Sequence, residues 1–292
     1  MEKEKVLFII NPISGAKNKI RIPDLIKKHL DLKQFDFEIS FTEAAKHAEK
    51  LTLDGIKSGF NKFIAVGGDG TINEIAGVLV NTSNHLGIIP SGSGNGLSRH
   101  LGIPLNPVEA IKNINKNKVL KIDSCSLNGR PFFCTAGVGF DAHVGKLFAD
   151  SKVRGLNTYV KTTLSEFRKY NPDTYKITIN DKVYLKEAFL ITFANSAQYG
   201  NNAYIAPHAD IQDGLLDVCI VKPFPKYKIV PIGIRLFKGT IDKSMYLEII
   251  RAPEVKVERT SEGPLHVDGE PCHMGKELLI KLYTQSLGVL VP

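Results

Sequence analysis

VGGDGTINE, residues 66–74, is the stretch on which the reading of this sequence turns. Three glycines surround one aspartate directly after the apolar run FIAV, so a strand-like segment ends in bare backbone beside a carboxylate. A strand that stops at Gly-Gly-Asp-Gly and leads into a helix presents unhindered N–H groups and the positive end of that helix. That combination is an anion site suited to phosphate. Asp69 then has a reason to stand there, either orienting a nucleophile or acting through Mg²⁺ on the same phosphates. A glycine turn with a helix-capping aspartate accounts for the same residues.

Two further loops bear on the choice. VLFII (Val6–Ile10) reads as a buried strand and ends in NPISGAK (Asn11–Lys17), where Asn11-Pro12 stops the strand and Ser14-Gly15 offers backbone and hydroxyl donors. LGIIP (Leu86–Pro90) ends in SGSGNGLSRHLGIP, read as a second flexible glycine loop that carries Ser93 and Asn95. Between them, FDFEISF (Phe35–Phe41) alternates with period two, while HAEKLTLDGI and TINEIAGVLV have helical spacing. Another helix is expected from Pro23, with Leu25, Ile26, His29 and Leu30 on one face. Strands alternating with helices predict a parallel α/β sheet over residues 1–120, and in such a sheet the loops after the strands gather along one edge, where ligands bind. No loop fits G-x-x-x-x-G-K-[ST] or a true G-x-G-x-x-G, which excludes a P-loop and a dinucleotide fingerprint.

From about Lys121 the texture changes to short alternating segments with the turn pairs Asn128-Gly129 and Asn180-Asp181. This predicts a mostly antiparallel β domain over 121–283, with a helix at LNTYVKTTLSEFRKY. With 292 residues, 43% of them hydrophobic, there is ample material for two cores. The four cysteines have no CxxC spacing, and MEKEKVLFIINP has no secretory form, so reduced thiols in the cytoplasm are expected. No apolar stretch is long enough to span a membrane. The net charge of +8 suits an anionic partner, and no basic-aromatic interleave points to nucleic acid. DIQDG sets two carboxylates three residues apart, a loop for a hard cation or an ordinary turn, and HVDGE reads as a D-G hairpin turn followed by a carboxylate.

Taken in order, NPISGAK, VGGDGTINE and IIPSGSGNGLSRHLGIP resemble the lipid kinase family that contains diacylglycerol kinases, sphingosine kinases and their bacterial relatives. The resemblance continues through GVGFDAHV (Gly137–Val144), APHADIQDGLLDV (Ala206–Val218) and HVDGEP (His266–Pro271), and so spans nearly the whole chain. It implies an NAD kinase-like nucleotide-binding α/β domain, an antiparallel β-sandwich domain for lipid binding and catalysis, and ATP plus Mg²⁺ as cofactors. It also implies that the last segment, 284–292, returns to the first domain. By position, Asn11, Pro12, Ser14, Gly15, Lys17, Thr42, Gly67, Gly68, Asp69, Gly70, Thr71, Asn73, Glu74 and Ser93 fall in the ATP site. The stretch matching Asp210, Asp213 and the Leu215 carbonyl holds Mg²⁺ in bacterial members. Glu270 falls on the proton acceptor with Asp268 beside it, and Asp69 is the other candidate base.

Many bacterial and diacylglycerol-type relatives read G-T-x-N-D where this chain reads Gly92-Ser93-Gly94-Asn95-Gly96, closer to the sphingosine kinase form. Asp141 and Asn95 are therefore candidate contacts to the acceptor, with Asp141 set against a sphingoid ammonium or, equally, capping a helix. The expected activity is ATP-dependent phosphorylation of a diacylglycerol-like or sphingoid-base-like lipid, against the alternatives of an NAD kinase or an inactive relative. The partner expected is a lipid presented at the inner face of the membrane, docked peripherally and reversibly, with homodimerisation left open. KLFADSKVRGLNTYVK (Lys146–Lys161) and KPFPKYKIVPIGIRLFKG (Lys222–Gly239), where cations recur beside apolar residues, are the stretches expected to face the bilayer.

Overall fold

The computed structural model describes residues 3–14, 21–149, 163, 165–167 and 169–292. The chain divides into two compact units, Met1–Ser124 with Thr284–Pro292, and Cys125–Tyr283.

The first unit alternates β1 (Glu4–Ile10), α1 (Ile22–His29), β2 (Phe35–Phe41), α2 (His47–Lys57), β3 (Lys62–Gly67), α3 (Asp69–Leu79) and β4 (His85–Pro90). A short helix α4 (Gly96–His100) and α5 (Pro107–Asn115) follow. The parallel sheet runs β2-β1-β3-β4 and is completed by the end of β16 (Glu277–Leu290), where Gly288 and Val289 pair with His85 and Leu86 of β4. Burial follows from place in the sheet. All six residues of central β3 are buried, as a strand covered on both faces requires, whereas edge strand β2 is buried only at Phe35. Even Lys62, at the start of β3, is buried, paired with Glu4, and burial pulls its pKa down. Val6, Phe8, Ile10, Ile64, Val66 and Leu290 form the core beneath α1 and α5.

The second unit starts at Cys125, where the end of β5 (Val119–Leu127) forms a hairpin with β6 (Arg130–Phe132), closed by Asn128 and Gly129 at φ 48° and 82°. One sheet is wholly antiparallel, β12-β11-β10-β7-β14-β15, comprising Leu247–Ala252, Leu216–Val221, Leu190–Ala194, Thr135–Gly139, Gly263–Val267 and Glu270–Met274. The facing layer pairs Glu254–Lys281 of β13 (Glu254–Arg259) and β16, then β8 (Asp173–Ile179) and β9 (Lys182–Ala188), the last two joined at Asn180 and Asp181 with positive φ. Phe132, Val138, Ile177, Phe193, Val218 and Leu278, all fully buried, fill the space between the layers. Helices α6 (Phe140–Ala149) and α7 (Ile229–Phe237) lie outside the sandwich core, and residues 163 and 165–167 are also helical. Most of the helix expected at 156–170 lies outside the described residues.

Candidate active site

In the first unit the strand-end loops form one structure. Gly68 is the N-cap of α3 and offers no side chain to the helix, so the first-turn amides of α3 face the loop without a cap from their own residue. The helix starts at Asp69, two residues earlier than its spacing in TINEIAGVLV suggests. Across from it, the loop after β4 comes so close that a Cβ on Gly92 would lie 2.6 Å from the Gly68 Cα. Only glycine against glycine permits this approach. Asp69 fastens the two loops together: Oδ2 accepts from Asn95 N–H and Oδ1 from Gly96 N–H, both at 2.9 Å. The amides it takes are those at the start of α4, which explains a helix inside a segment whose glycines and serines read as loop.

Asn95 is buried, and its side chain bridges the Gly92 backbone, accepting at 2.9 Å and donating at 2.8 Å. It is therefore a brace of the glycine loop. Ser93 beside it is exposed. Asn11 follows β1 and donates to Thr71 Oγ1 at 3.1 Å, tying the first loop to α3, and the Ser14 hydroxyl donates to the Asn11 carbonyl at 3.3 Å. Pro12 is exposed next to them, and Thr42 is buried where β2 ends, its N–H on the Ile10 carbonyl at 2.9 Å. Glu74 accepts from Lys46 and Ala48 N–H at 2.9 and 3.1 Å and so caps α2. Gly67, Gly70 and Asn73 complete the turn into α3. Gly15 and Lys17 lie outside the described residues.

In the second unit the turn between β14 and β15 is made by Asp268 and Gly269, both in the left-handed region at φ 47° and 80°. The Asp268 carboxylate accepts three successive backbone N–H groups, from Phe133, Cys134 and Thr135, at 2.9, 2.8 and 3.1 Å. It thereby fixes the hairpin that presents Glu270. The Glu270 side chain is half exposed and takes an ion pair from Arg130 at 2.9 Å. On the same strand burial pushes the Cys272 thiol up, with the Arg130 cation opposing.

Asp141, at the start of α6, is the centre of a buried network. Its Oδ2 accepts from Thr192 and Tyr199 hydroxyls at 3.2 Å each and lies 3.1 Å from His266 Nε2, while Oδ1 takes the Ala142 N–H at 2.8 Å. A Cβ on Gly137 would meet both Asp141 Oδ2 and His266 Nε2 within 2.8 Å, so a bare strand position makes room for the pair. Arg130, Thr192 and Tyr199 carry no local sequence signal, because their partners Glu270 and Asp141 lie 140, 51 and 58 positions away and are met only in the folded unit; His266, which lies within HVDGEP, joins them.

The DIQDG loop carries hard oxygen donors. Asp210 and Asp213 are exposed, their carboxylates ordered by the N–H groups of Gln212 and Leu215 at 3.0 Å each. Arg251 pairs with Asp213 and, at 3.0 Å, with Asp217. Among the described residues no group of three or more His, Cys, Asp or Glu side chains converges on a point. Hard oxygen donors of this kind, two carboxylates and the Leu215 carbonyl, are those a largely hydrated Mg²⁺ would take, with Asp213 already paired with Arg251.

Comparison with known proteins agrees with this layout. Residues 5–127 match the diacylglycerol kinase catalytic domain, and residues 134–290 match the YegS C-terminal NAD kinase beta sandwich-like domain. A Pseudomonas aeruginosa (strain UCBPP-PA14) protein named "Probable lipid kinase YegS-like" is 27% identical over 296 residues, covering 100% of this chain and 96% of its own. The Bacillus subtilis (strain 168) "Diacylglycerol kinase" is 28% identical over 100% of this chain and 97% of its own. A solved structure of a diacylglycerol kinase from Bacillus anthracis str. Sterne superposes with TM-score 0.76 at 25% identity, covering 100% of this chain and 98% of the other. A second structure from that organism gives TM-score 0.80 at 27% identity over the same shares.

Proposed function

The chain belongs to the diacylglycerol kinase and YegS-type lipid kinase family, and from that premise we propose that it transfers the γ-phosphate of ATP, with Mg²⁺, to a hydroxyl of a membrane lipid. The observation that carries the reading is the clasp in the first unit, where Asp69 locks two glycine loops together beside the uncapped N-terminus of α3. Bare backbone N–H groups held rigidly at a helix start are what phosphoryl transfer needs to hold and orient phosphate. Asn11, Thr71 and the glycines of the clasp bind the nucleotide, and Asp69 keeps their amides aimed. Mg²⁺, for which Asp210, Asp213 and the Leu215 carbonyl are the proposed ligands, supplies charge neutralisation on the transferring group. Glu270 removes the proton from the acceptor hydroxyl, with Asp268 holding the turn from which it projects. Glu270 is preferred to Asp69 as the base because both Asp69 oxygens are already engaged by amides.

Asp141 bears on the acceptor. A sphingoid base carries an ammonium that would need an available carboxylate, yet Asp141 is surrounded by the Thr192, Tyr199, His266 and Ala142 donors. That supports a neutral, diacylglycerol-like acceptor. Incubation of the purified protein with labelled ATP and a panel of lipids in detergent micelles, with NAD as control, tests the proposal. Label is expected in a diacylglycerol-type lipid; label in NAD and in no lipid overturns the reading.

A further inference from the structure

Helix α7 is apolar on both sides. Its inner side, Ile229 and Leu236, packs against the cluster that includes Phe140, Phe189 and Phe224. The other side is left exposed, with no cover among the described residues. Val230, Ile234 and Phe237 are 59%, 50% and 48% exposed, and their spacing of four and three residues puts them in one stripe, with Tyr227, 75% exposed, in the 3₁₀ turn just before the helix. Isolated exposed apolar side chains are ordinary, whereas a continuous stripe on one helix marks a docking surface. The segment that carries the stripe is rich in cations. Residues 222–243 hold Lys222, Lys226, Lys228, Arg235, Lys238 and Lys243 against the single acid Asp242, and of these Lys222 is paired with Glu248 at 3.1 Å. Lys228 lies 5.3 Å from the centre of the Tyr227 ring, so one of the cations sits beside the stripe itself.

We propose that this face of α7 is the surface by which the protein docks on an anionic phospholipid bilayer, the apolar stripe entering the headgroup boundary and the cations pairing with lipid phosphates. An amphipathic helix with an apolar ridge and flanking lysines suits that location. The alternative occupant, the same face of a second copy, would set like charge against like charge across a two-fold interface, which opposes association. The inference rests on the lipid kinase reading for its biological sense, since an acceptor buried in a bilayer has to be met at its surface, but it is tested apart from it.

The test is co-sedimentation of the full chain with phosphatidylcholine vesicles, with and without phosphatidylserine, at low and high salt. Two variants are compared, Val230→Ser/Ile234→Ser/Phe237→Ser and Lys238→Glu/Lys243→Glu. The wild type is expected to bind anionic vesicles more tightly and to lose most of that preference in high salt. Removing the stripe should weaken binding by about 100-fold at either salt level. Reversing the two lysines should weaken it by about tenfold or more at low salt only. Both variants should keep wild-type turnover on a short-chain acceptor dispersed in water. Wild-type binding by the stripe variant overturns the inference, as does a wild-type dimer that the stripe variant dissociates with vesicle binding unchanged. Vesicle binding through the stripe with no lipid phosphorylated would sustain the docking surface and defeat the kinase proposal. Lipid phosphorylation with vesicle binding indifferent to both variants would do the reverse.

Discussion

Two carboxylates of the motifs do different work, and their polar contacts separate them. Glu270→Gln keeps the shape of a half-exposed side chain and removes its ability to take a proton, so turnover should fall by about 10² to 10⁴ while the unfolding midpoint stays near wild type. Asp69→Asn puts an amide donor where one of two backbone N–H groups points, loosening the clasp. Turnover should fall by about 10² through misplaced phosphate donors, and denaturant unfolding should reveal a loss of about 1–3 kcal/mol, the signature that distinguishes it from Glu270→Gln. Arg130→Gln removes the cation beside Glu270. Loss of an opposite charge favours the protonated carboxyl, so the acid limb of the turnover–pH profile should move to higher pH, and Arg130→Lys should restore it. An unmoved profile would mean the ion pair is only a surface contact. The acidic residues and their D-G turns are legible because turn chemistry is local. Arg130 is not, since it lies 140 positions from Glu270 and, on a strand of a different sheet, meets it only in the folded unit.

Whole elements show the same division between local and distant causes. Strands β1, β3 and β4 are apolar runs stopped by asparagine, glycine and proline, and β2 alternates with period two; they form where those signals stand. Helix α4 is short and lies among glycines, and its start is secured by Asp69 from 26 residues away, which no window of sequence registers. Helix α7 holds Pro231 and Gly233, residues of low helix propensity that hide it from a reading of local spacing. Helix α2 illustrates borrowed capping. Its N-cap residue Lys46 supplies no side-chain acceptor, and Glu74 of α3 serves instead. Glu74→Ala should cost about 1–2 kcal/mol, read as a lower denaturation midpoint, with a smaller effect on turnover than Asp69→Asn. Gly92→Ala drives a methyl into the Gly68 backbone and should raise the KM for ATP by about tenfold or more, because the loops must part to admit it.

At the scale of the whole molecule, the two units draw on the chain unequally. The second is one uninterrupted stretch, Cys125–Tyr283, whereas the first needs Thr284–Pro292 to finish its sheet. Leu287, Val289 and Leu290 of that last segment are almost wholly buried, and Leu290 belongs to the core with Val6, Phe8 and Ile64. Leu290→Ala should therefore destabilise the first unit by about 2–5 kcal/mol, measurable in a denaturant titration. The order of synthesis gives this arrangement a further meaning. While a ribosome is still making the second unit, β4 has β3 on one side and nothing on the other, an apolar strand edge open to any nascent neighbour. That edge closes only when β16 emerges, so the first unit to be translated is the last to be completed, and the interval between is when newly made chains are most prone to clump.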